Sequence, residues 1–263
     1  MTPVRAAGTR PRVVVLQHEP REGLGAFGPL LLGAADVQTL VAPEDPVAYR
    51  HAVDEMARHG GYDALVVLGG PVGVYEREAY PWLDDSLRLL RDAFRRDVPI
   101  LGICLGAQLV AHVLGSRVFP GRTRGLAKEI GWFTVELTPR GRVDPGLHGF
   151  DEHAPVFHWH GDTYTLPEGA WHLAGSQRYP QQAFRWGRWV YGLQFHMEVT
   201  EEMVASWTRE GADELALLGD VDPAALVEMA GRLVPPMREK VRVFTEYFLE
   251  LIQESRDEKA AAG

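Results

Sequence analysis

The chain holds a single cysteine among 263 residues, and its neighbours are of the kind that expose a nucleophile. Cys104 lies in Pro99-Ile100-Leu101-Gly102-Ile103-Cys104-Leu105-Gly106-Ala107-Gln108. An apolar run meets Gly-x-Cys-x-Gly, and a helix-like run follows. This is the pattern of a nucleophile elbow, with sulfur in place of the more usual serine oxygen. Glycines flank the nucleophile because a sharp strand-to-helix turn brings backbone too close for side chains. The following helix points its N-terminus at the sulfur, which favours the thiolate, the reactive form.

A cysteine nucleophile needs a base, and the base needs a group to orient it. Val190-Tyr191-Gly192-Leu193-Gln194-Phe195-His196-Met197-Glu198 offers both. If a strand runs to Phe195, His196 emerges at its end, and Glu198, two residues on, faces the same side. A carboxylate on one imidazole nitrogen leaves the other for the sulfur. Acyl transfer also needs donors for a developing oxyanion. Gly69-Gly70-Pro71 closes an apolar run, and a glycine there lets a backbone N–H approach a substrate closely. The Leu105 N–H, at the helix start, is the natural second donor.

These residues need a scaffold. Arg12 to Gln17, Ala64 to Leu68 and Pro99 to Ile103 read as buried strands. Tyr49 to His59 and Trp82 to Arg95 read as amphipathic helices. Such alternation predicts an α/β fold with a mostly parallel central sheet flanked by helices. Its sites belong at the carboxyl ends of the strands, where Gly69-Gly70 and Cys104 both fall. From Gly115 to Trp189 turns are frequent. Trp132 to Leu137, Trp171 to Ala174, Gln182 to Phe184 and Trp189 to Leu193 predict a smaller antiparallel or mixed section. Beyond Thr200, a plausible N-cap, the chain reads as helices over Glu201 to Trp207, Pro223 to Leu233 and Met237 to Gln253. The last carries Val241, Phe244, Tyr247, Phe248 and Leu251 on one stripe, and the terminal Lys259 to Gly263 is expected to fray.

Composition excludes several classes. A formal net charge of -9 repels nucleic acid and anionic membranes. One cysteine excludes an internal disulfide or a cysteine-based zinc site and fits a reducing compartment. The N-terminal segment lacks a signal peptide's apolar stretch, and the longest uncharged stretch, Val98 to Ser116, is broken by proline and glycines. A cytoplasmic protein is expected. His158-x-His160-x-Asp162 has metal-ligand side chains, but no third histidine stands at a convincing position. No metal and no cofactor are expected.

Leu68-Gly69-Gly70-Pro71, the Gly102-to-Gln108 elbow and Gly192-to-Glu198 together resemble the class I, triad-type glutamine amidotransferases over residues 12–200. Residues 201–263 read as a helical extension packed on the same domain. Lys128-Glu129-Ile130-Gly131-Trp132 and His158-Trp159-His160-Gly161-Asp162 point to free-standing members similar to the glutaminase domain of GMP synthase. Met197 departs from the proline often found between the His and the Glu. The resemblance implies a catalytic set of Cys104, His196 and Glu198, an oxyanion hole from Gly70 and Leu105, and substrate contacts from Gln108 and His160. The implied reaction is hydrolysis of the γ-amide of glutamine, or of a γ-glutamyl compound, through a thioester. The implied partners are that small molecule and, for ammonia transfer, a separate synthetase subunit, since no phosphate-binding Gly-x-x-x-x-Gly-Lys-Ser/Thr loop is present. The alternatives are a γ-glutamyl peptidase acting alone, a non-catalytic or regulatory subunit, and an unrelated cysteine hydrolase such as a thioesterase.

Overall fold

A computed structural model describes residues 9–219 and 221–262. In chain order the elements are β1 (Arg12–Gln17), α1 (Gly28–Ala34), β2 (Asp36–Val41), α2 (Pro46–His59), β3 (Ala64–Val67), α3 (Trp82–Arg95), β4 (Ile100–Ile103) and α4 (Leu105–Val113). Then come β5 (Val118–Pro120), β6 (Glu129–Leu137), β7 (His153–His160), β8 (Asp162–Tyr164), β9 (Ala170–Ser176), β10 (Ala183–Trp186) and β11 (Val190–Leu193). Among the described residues, three helices follow: α5 (Glu201–Glu210), α6 (Ala212–Leu218) and α7 (Pro223–Ala262).

Nine strands form one sheet in the order β2-β1-β3-β4-β11-β10-β9-β6-β7. The pairs from β2 to β11 are parallel, and those from β11 to β7 are antiparallel. The division follows composition. Val13 to Leu16, Ala64 to Val67 and Ile100 to Ile103 are wholly buried apolar runs, as strands covered on both faces must be. In β7 the burial alternates at its start and becomes continuous toward the site. An isolated bridge joins Phe157 to His196, so the antiparallel wing curls back over the end of β11. β5 and β8 make a separate two-stranded piece.

Helix ends follow capping chemistry. Asp45 accepts from the N–H groups of Val47 and Ala48, with Pro46 in the first turn of α2. Thr200 accepts from the Met203 N–H and caps α5 as expected. The C-terminal stripe is a core face: Val241, Phe244, Phe248 and Leu251 join the main hydrophobic core, with Tyr247 partly buried against it.

Two expectations are corrected. Pro223 to Leu233 and Met237 to Gln253 are parts of one 40-residue helix that runs through Pro235 and Pro236. The prolines remove the N–H donors for the carbonyls of Gly231 and Arg232, but Ala230, Val234, Met237 and Val241 are buried on either side and carry the helix across. Nor do Lys259 to Ala262 fray: the helix persists, and Lys259 donates to the Asp97 carbonyl at 2.9 Å and to Ser255 Oγ at 3.0 Å. Gly263 lies outside the described residues, as do residues 1–8 of the N-terminal segment. Among the described residues, no helix is long and apolar enough to cross a membrane.

Candidate active site

The turn between β4 and α4 places Cys104 at φ 52°, ψ -109°, outside the regions ordinary residues populate. Its neighbours explain how this is tolerated. A Cβ on Gly102 would meet the Gly106 carbonyl oxygen at 2.6 Å, and one on Gly106 would collide with the Val67 carbonyl of β3. Both positions therefore need glycine for the elbow to sit against the sheet. The Cys104 N–H donates to the Leu193 carbonyl at 2.8 Å, and the Gln108 N–H donates to the Cys104 carbonyl at 3.1 Å.

Three residues converge on the sulfur. Gln194 Nε2 donates toward Sγ at 3.6 Å. The thiol points toward the Trp159 carbonyl of β7 at 3.9 Å. His196 lies in the segment after β11, its N–H donating to the Phe157 carbonyl at 2.8 Å. Its Nδ1 is 2.6 Å from Glu198 Oε1, and its ring meets that of Trp207 in a T-shaped contact with centroids 5.0 Å apart. Burial opposes a charge on His196. The negative charges of Glu198 and of the Cys104 sulfur, with hydrogen bonds to both, outweigh it and hold the imidazole well above its ordinary pKa. An imidazole in this state can support a thiolate and deliver a proton to a leaving group.

Gly70 lies beside Leu105: a Cβ there would meet Leu105 Cδ2 at 3.0 Å and His18 Cβ at 2.9 Å. The Leu105 N–H opens α4, so it has no partner within the helix. His18 braces the loop, with Nδ1 3.1 Å from the Leu68 carbonyl and Nε2 3.0 Å from Ser86 Oγ. Burial pushes its pKa down to about 4, so it serves as neutral scaffolding.

A cleft of about 450 Å3 opens here, lined by Gly70, Cys104, Gln108, His160 and His196 among others. The structure thus brings together all seven residues singled out in the sequence, Glu198 behind His196 and Leu105 beside Gly70. Two of them are more committed than expected. Gln108 Nε2 donates to Gln194 Oε1 at 3.2 Å, which leaves its own oxygen for a ligand. His160 uses both ring nitrogens within the protein, Nδ1 on the Asp162 carbonyl at 3.1 Å and Nε2 near Glu129 Oε2 at 3.2 Å. Only its carbon edge remains for the cleft.

The Asp162 carboxylate does not join the two histidines. Gly161 breaks the strand, and the Asp162 side chain bonds to Tyr75 instead. The tryptophans near the site and beyond it lie apart. Trp159 packs with Phe157 and Trp207, while Trp186 lies edge-on to Phe94 and Trp189 reaches Asp97.

Sequence reasoning missed Glu22. It follows the carboxyl end of β1 and lines the cleft, close enough that a Cβ on Gly69 would collide with its Oε2. Burial, then the charge of Glu198, push its carboxyl up to about 7, against the pull of His196. Its place after a strand's carboxyl end was the available signal. Glu129 was quoted only as part of a motif. It is buried at the start of β6, where burial opposes its charge. The neighbouring His158 and His160 rings and the hydrogen bond from Ser176 prevail and hold it well below the usual carboxylate range.

A family model described as glutamine amidotransferase class-I matches residues 37–206. YfeJ, a glutamine amidotransferase-like protein of Salmonella typhimurium, is 37% identical over 158 residues, 59% of this chain and 64% of that protein. A glutamine-hydrolysing GMP synthase of Phenylobacterium zucineum is 38% identical over 138 residues, 52% of this chain and 24% of the synthase. The chain therefore matches less than two thirds of the first relative's length and about a quarter of the second's. Among solved structures, a glutamine amidotransferase from Thermotoga maritima superimposes with a TM-score of 0.78 at 31% identity, over 92% of this chain and 99% of that one. A second, from Methylobacillus flagellatus, has a TM-score of 0.78 at 26% identity, over 92% and 96%.

Proposed function

Because the chain belongs to the class-I glutamine amidotransferase family, we propose that it hydrolyses the γ-amide of glutamine, or of a γ-glutamyl compound, through Cys104, His196 and Glu198. The Cys104 thiolate attacks the side-chain carbonyl carbon, and the carbonyl π electrons move to oxygen. The N–H groups of Gly70 and Leu105 hold that oxyanion. His196 gives its proton to the departing nitrogen as the C–N bond breaks, which leaves a γ-glutamyl thioester. A water molecule gives a proton back to His196 and attacks the thioester, and the sulfur leaves with glutamate released. Glu198 keeps the imidazole oriented and favours its charged form. Gln108 contacts the substrate through its free oxygen, and the carbon edge of His160 forms part of the wall. Residues 12–200 make the catalytic domain, and 201–263 extend it. The carrying observation is the 2.6 Å His196–Glu198 contact beside a strained cysteine.

The size of the cleft favours a second substrate class. About 450 Å3 lies within the range that takes ligands larger than one amino acid, and the lining extends to Arg122, Trp207 and Glu214. A γ-glutamyl peptide would fill more of it than glutamine does. Ammonia and glutamate release by the purified chain, with glutamine and a γ-glutamyl dipeptide in parallel, separates the two. Activity on either that disappears in Cys104→Ala supports the chemistry. Turnover unchanged in Cys104→Ala refutes it.

A further inference from the structure

Behind the cleft wall, three buried side chains converge without enough protons among them. Glu129 starts β6, and His158 and His160 end β7, with Glu129 paired to His160 in the ladder. His158 Nδ1 is 3.3 Å from Glu129 Oε2, His160 Nε2 is 3.2 Å from the same oxygen, and the two nitrogens are 3.4 Å apart. All three residues are buried. The triangle is nearly equilateral. Ligands about 2.0–2.1 Å from a tetrahedral ion stand roughly 3.3 Å from one another, so these three atoms match one face of such a tetrahedron.

The hydrogen-bond inventory points the same way. His160 Nδ1 faces the Asp162 carbonyl at 3.1 Å, and a carbonyl only accepts, so the ring hydrogen belongs there. A neutral His160 then turns a lone pair from Nε2 into the cluster. This is how metal-binding histidines are held, with the far nitrogen donating to a carbonyl. Glu129 already has two donors: Ser176 Oγ donates to Oε1 at 2.7 Å, and Gln182 Nε2 donates to Oε2 at 2.7 Å. One hydrogen on His158 Nδ1 can serve either Glu129 or His160, not both. The remaining contact sets lone pair against lone pair. A cation relieves that, and each residue turns one ligand atom into the cluster, all within 4.8 Å of one another.

We propose that Glu129, His158 and His160 form a binding site for a divalent transition metal of the zinc class, separate from Cys104. Two imidazoles and a carboxylate are the donor set such ions take. Gln182 is placed for the fourth corner: its Nε2 is 3.5 Å from His160 Nε2, and its Oε1 has no hydrogen-bond partner. Turning the amide brings that oxygen toward the ion. The route in is the cleft, which His160 lines. A bound ion ties β6 to β7, the strand whose Phe157 and Trp159 carbonyls face His196 and Cys104.

The competing occupant is a proton on His160, and the competing metal site is Cys104 with His196. Chelator-stripped protein without an affinity tag, titrated with Co2+ and then Zn2+, distinguishes all three. The expected result is one equivalent bound, with the visible absorption of four-coordinate Co2+ and no sulfur-to-cobalt charge-transfer band. Cys104→Ala should bind equally. His158→Gln and Glu129→Gln should bind about 100-fold more weakly or not at all, since each deletes a ligand where even supporting residues are worth 10- to 100-fold. Zn2+ should raise the Tm of wild type and Cys104→Ala by mass action. No stoichiometric uptake by wild type, a sulfur charge-transfer band, loss of binding in Cys104→Ala, or full binding in folded His158→Gln overturns the proposal. If the ligand variants do not fold, the wild-type and Cys104→Ala titrations still decide it.

Discussion

At Cys104 the backbone geometry required by the site opposes the stability of the fold, and this conflict can be measured. A non-glycine residue at φ 52°, ψ -109° carries up to about 3 kcal/mol of strain. We take the upper end because ψ lies far from the left-handed helical range. Cys104→Ala keeps that strain, since alanine retains Cβ, whereas Cys104→Gly removes it. Against the gain stand up to about 1 kcal/mol for the freer unfolded chain and up to about 0.8 kcal/mol for one lost buried methyl group. The balance favours glycine by about 1–1.5 kcal/mol. At a buried site without strain the same alanine-to-glycine change would be destabilising. At roughly 2–4 °C per kcal/mol for a domain near this size, Cys104→Gly should melt about 2–6 °C above Cys104→Ala. Both variants lack the sulfur, so its chemistry cancels in the comparison. Thermal unfolding followed by circular dichroism, at matched pH and after chelation, reads the difference. A Cys104→Gly protein that melts below Cys104→Ala would refute the strained elbow.

Two further predictions concern charge in the cleft. Glu198→Gln preserves the shape beside His196 Nδ1 but removes the charge that supports the imidazolium, so kcat should fall about 100-fold or more. The basic limb of the pH–rate profile should also move to lower pH, because the His196 pKa is held up by Glu198; an unchanged kcat and profile would sink that role. Glu22 is protonated in the folded state up to about pH 7 and in the unfolded chain only to about 4.5. The folded state therefore holds the extra proton between these values, and stability falls as pH rises through that window. The loss is at most about 3 kcal/mol, less because the side chain is partly open to solvent. Urea unfolding of wild type and Glu22→Gln at both ends of the window should show a flatter dependence for the variant, and parallel curves would exclude Glu22 as the source.

The parts of the fold legible in the sequence were those where one force dominates. Arg12 to Gln17 is a strand because its β-branched run is buried on both faces, and Trp82 to Arg95 is a helix because its apolar period is strong. β2 was missed: it is an edge strand of partly exposed, mixed residues, and its existence depends on pairing with β1. α7 was divided at Pro235-Pro236 because local propensity predicts a break that tertiary packing overrides. β6 begins at Glu129, earlier than its apolar pattern suggests, because that glutamate is satisfied by partners remote in sequence. The candidate triad was readable for the opposite reason. Its geometry depends on short, local patterns, a turn with two glycines and a histidine two residues from a carboxylate. Glu22 and the Glu129 cluster depend on long-range contacts, which no spacing rule encodes.

The two halves of the sheet contribute different parts of the candidate site. The parallel half supplies the elbow, the Gly69-Gly70 turn and the helix start, all at strand ends that open to solvent in a bare α/β sheet. The antiparallel wing supplies enclosure. By bridging Phe157 to His196 and bringing the Trp159 carbonyl toward Sγ, it buries the imidazole between Trp207 and the carboxylate of Glu198. A Coulomb interaction strengthens several-fold when water is excluded from it, so the same wing that makes these charges costly also makes their pairing effective. Buried charges left without partners would cost several kcal/mol each, which is why acids and imidazoles occur here as contacting sets. Glu129 with two histidines, packed into the same wing, is another such set. Both sets are held by one strand, since Phe157 to His160 lie consecutively on β7.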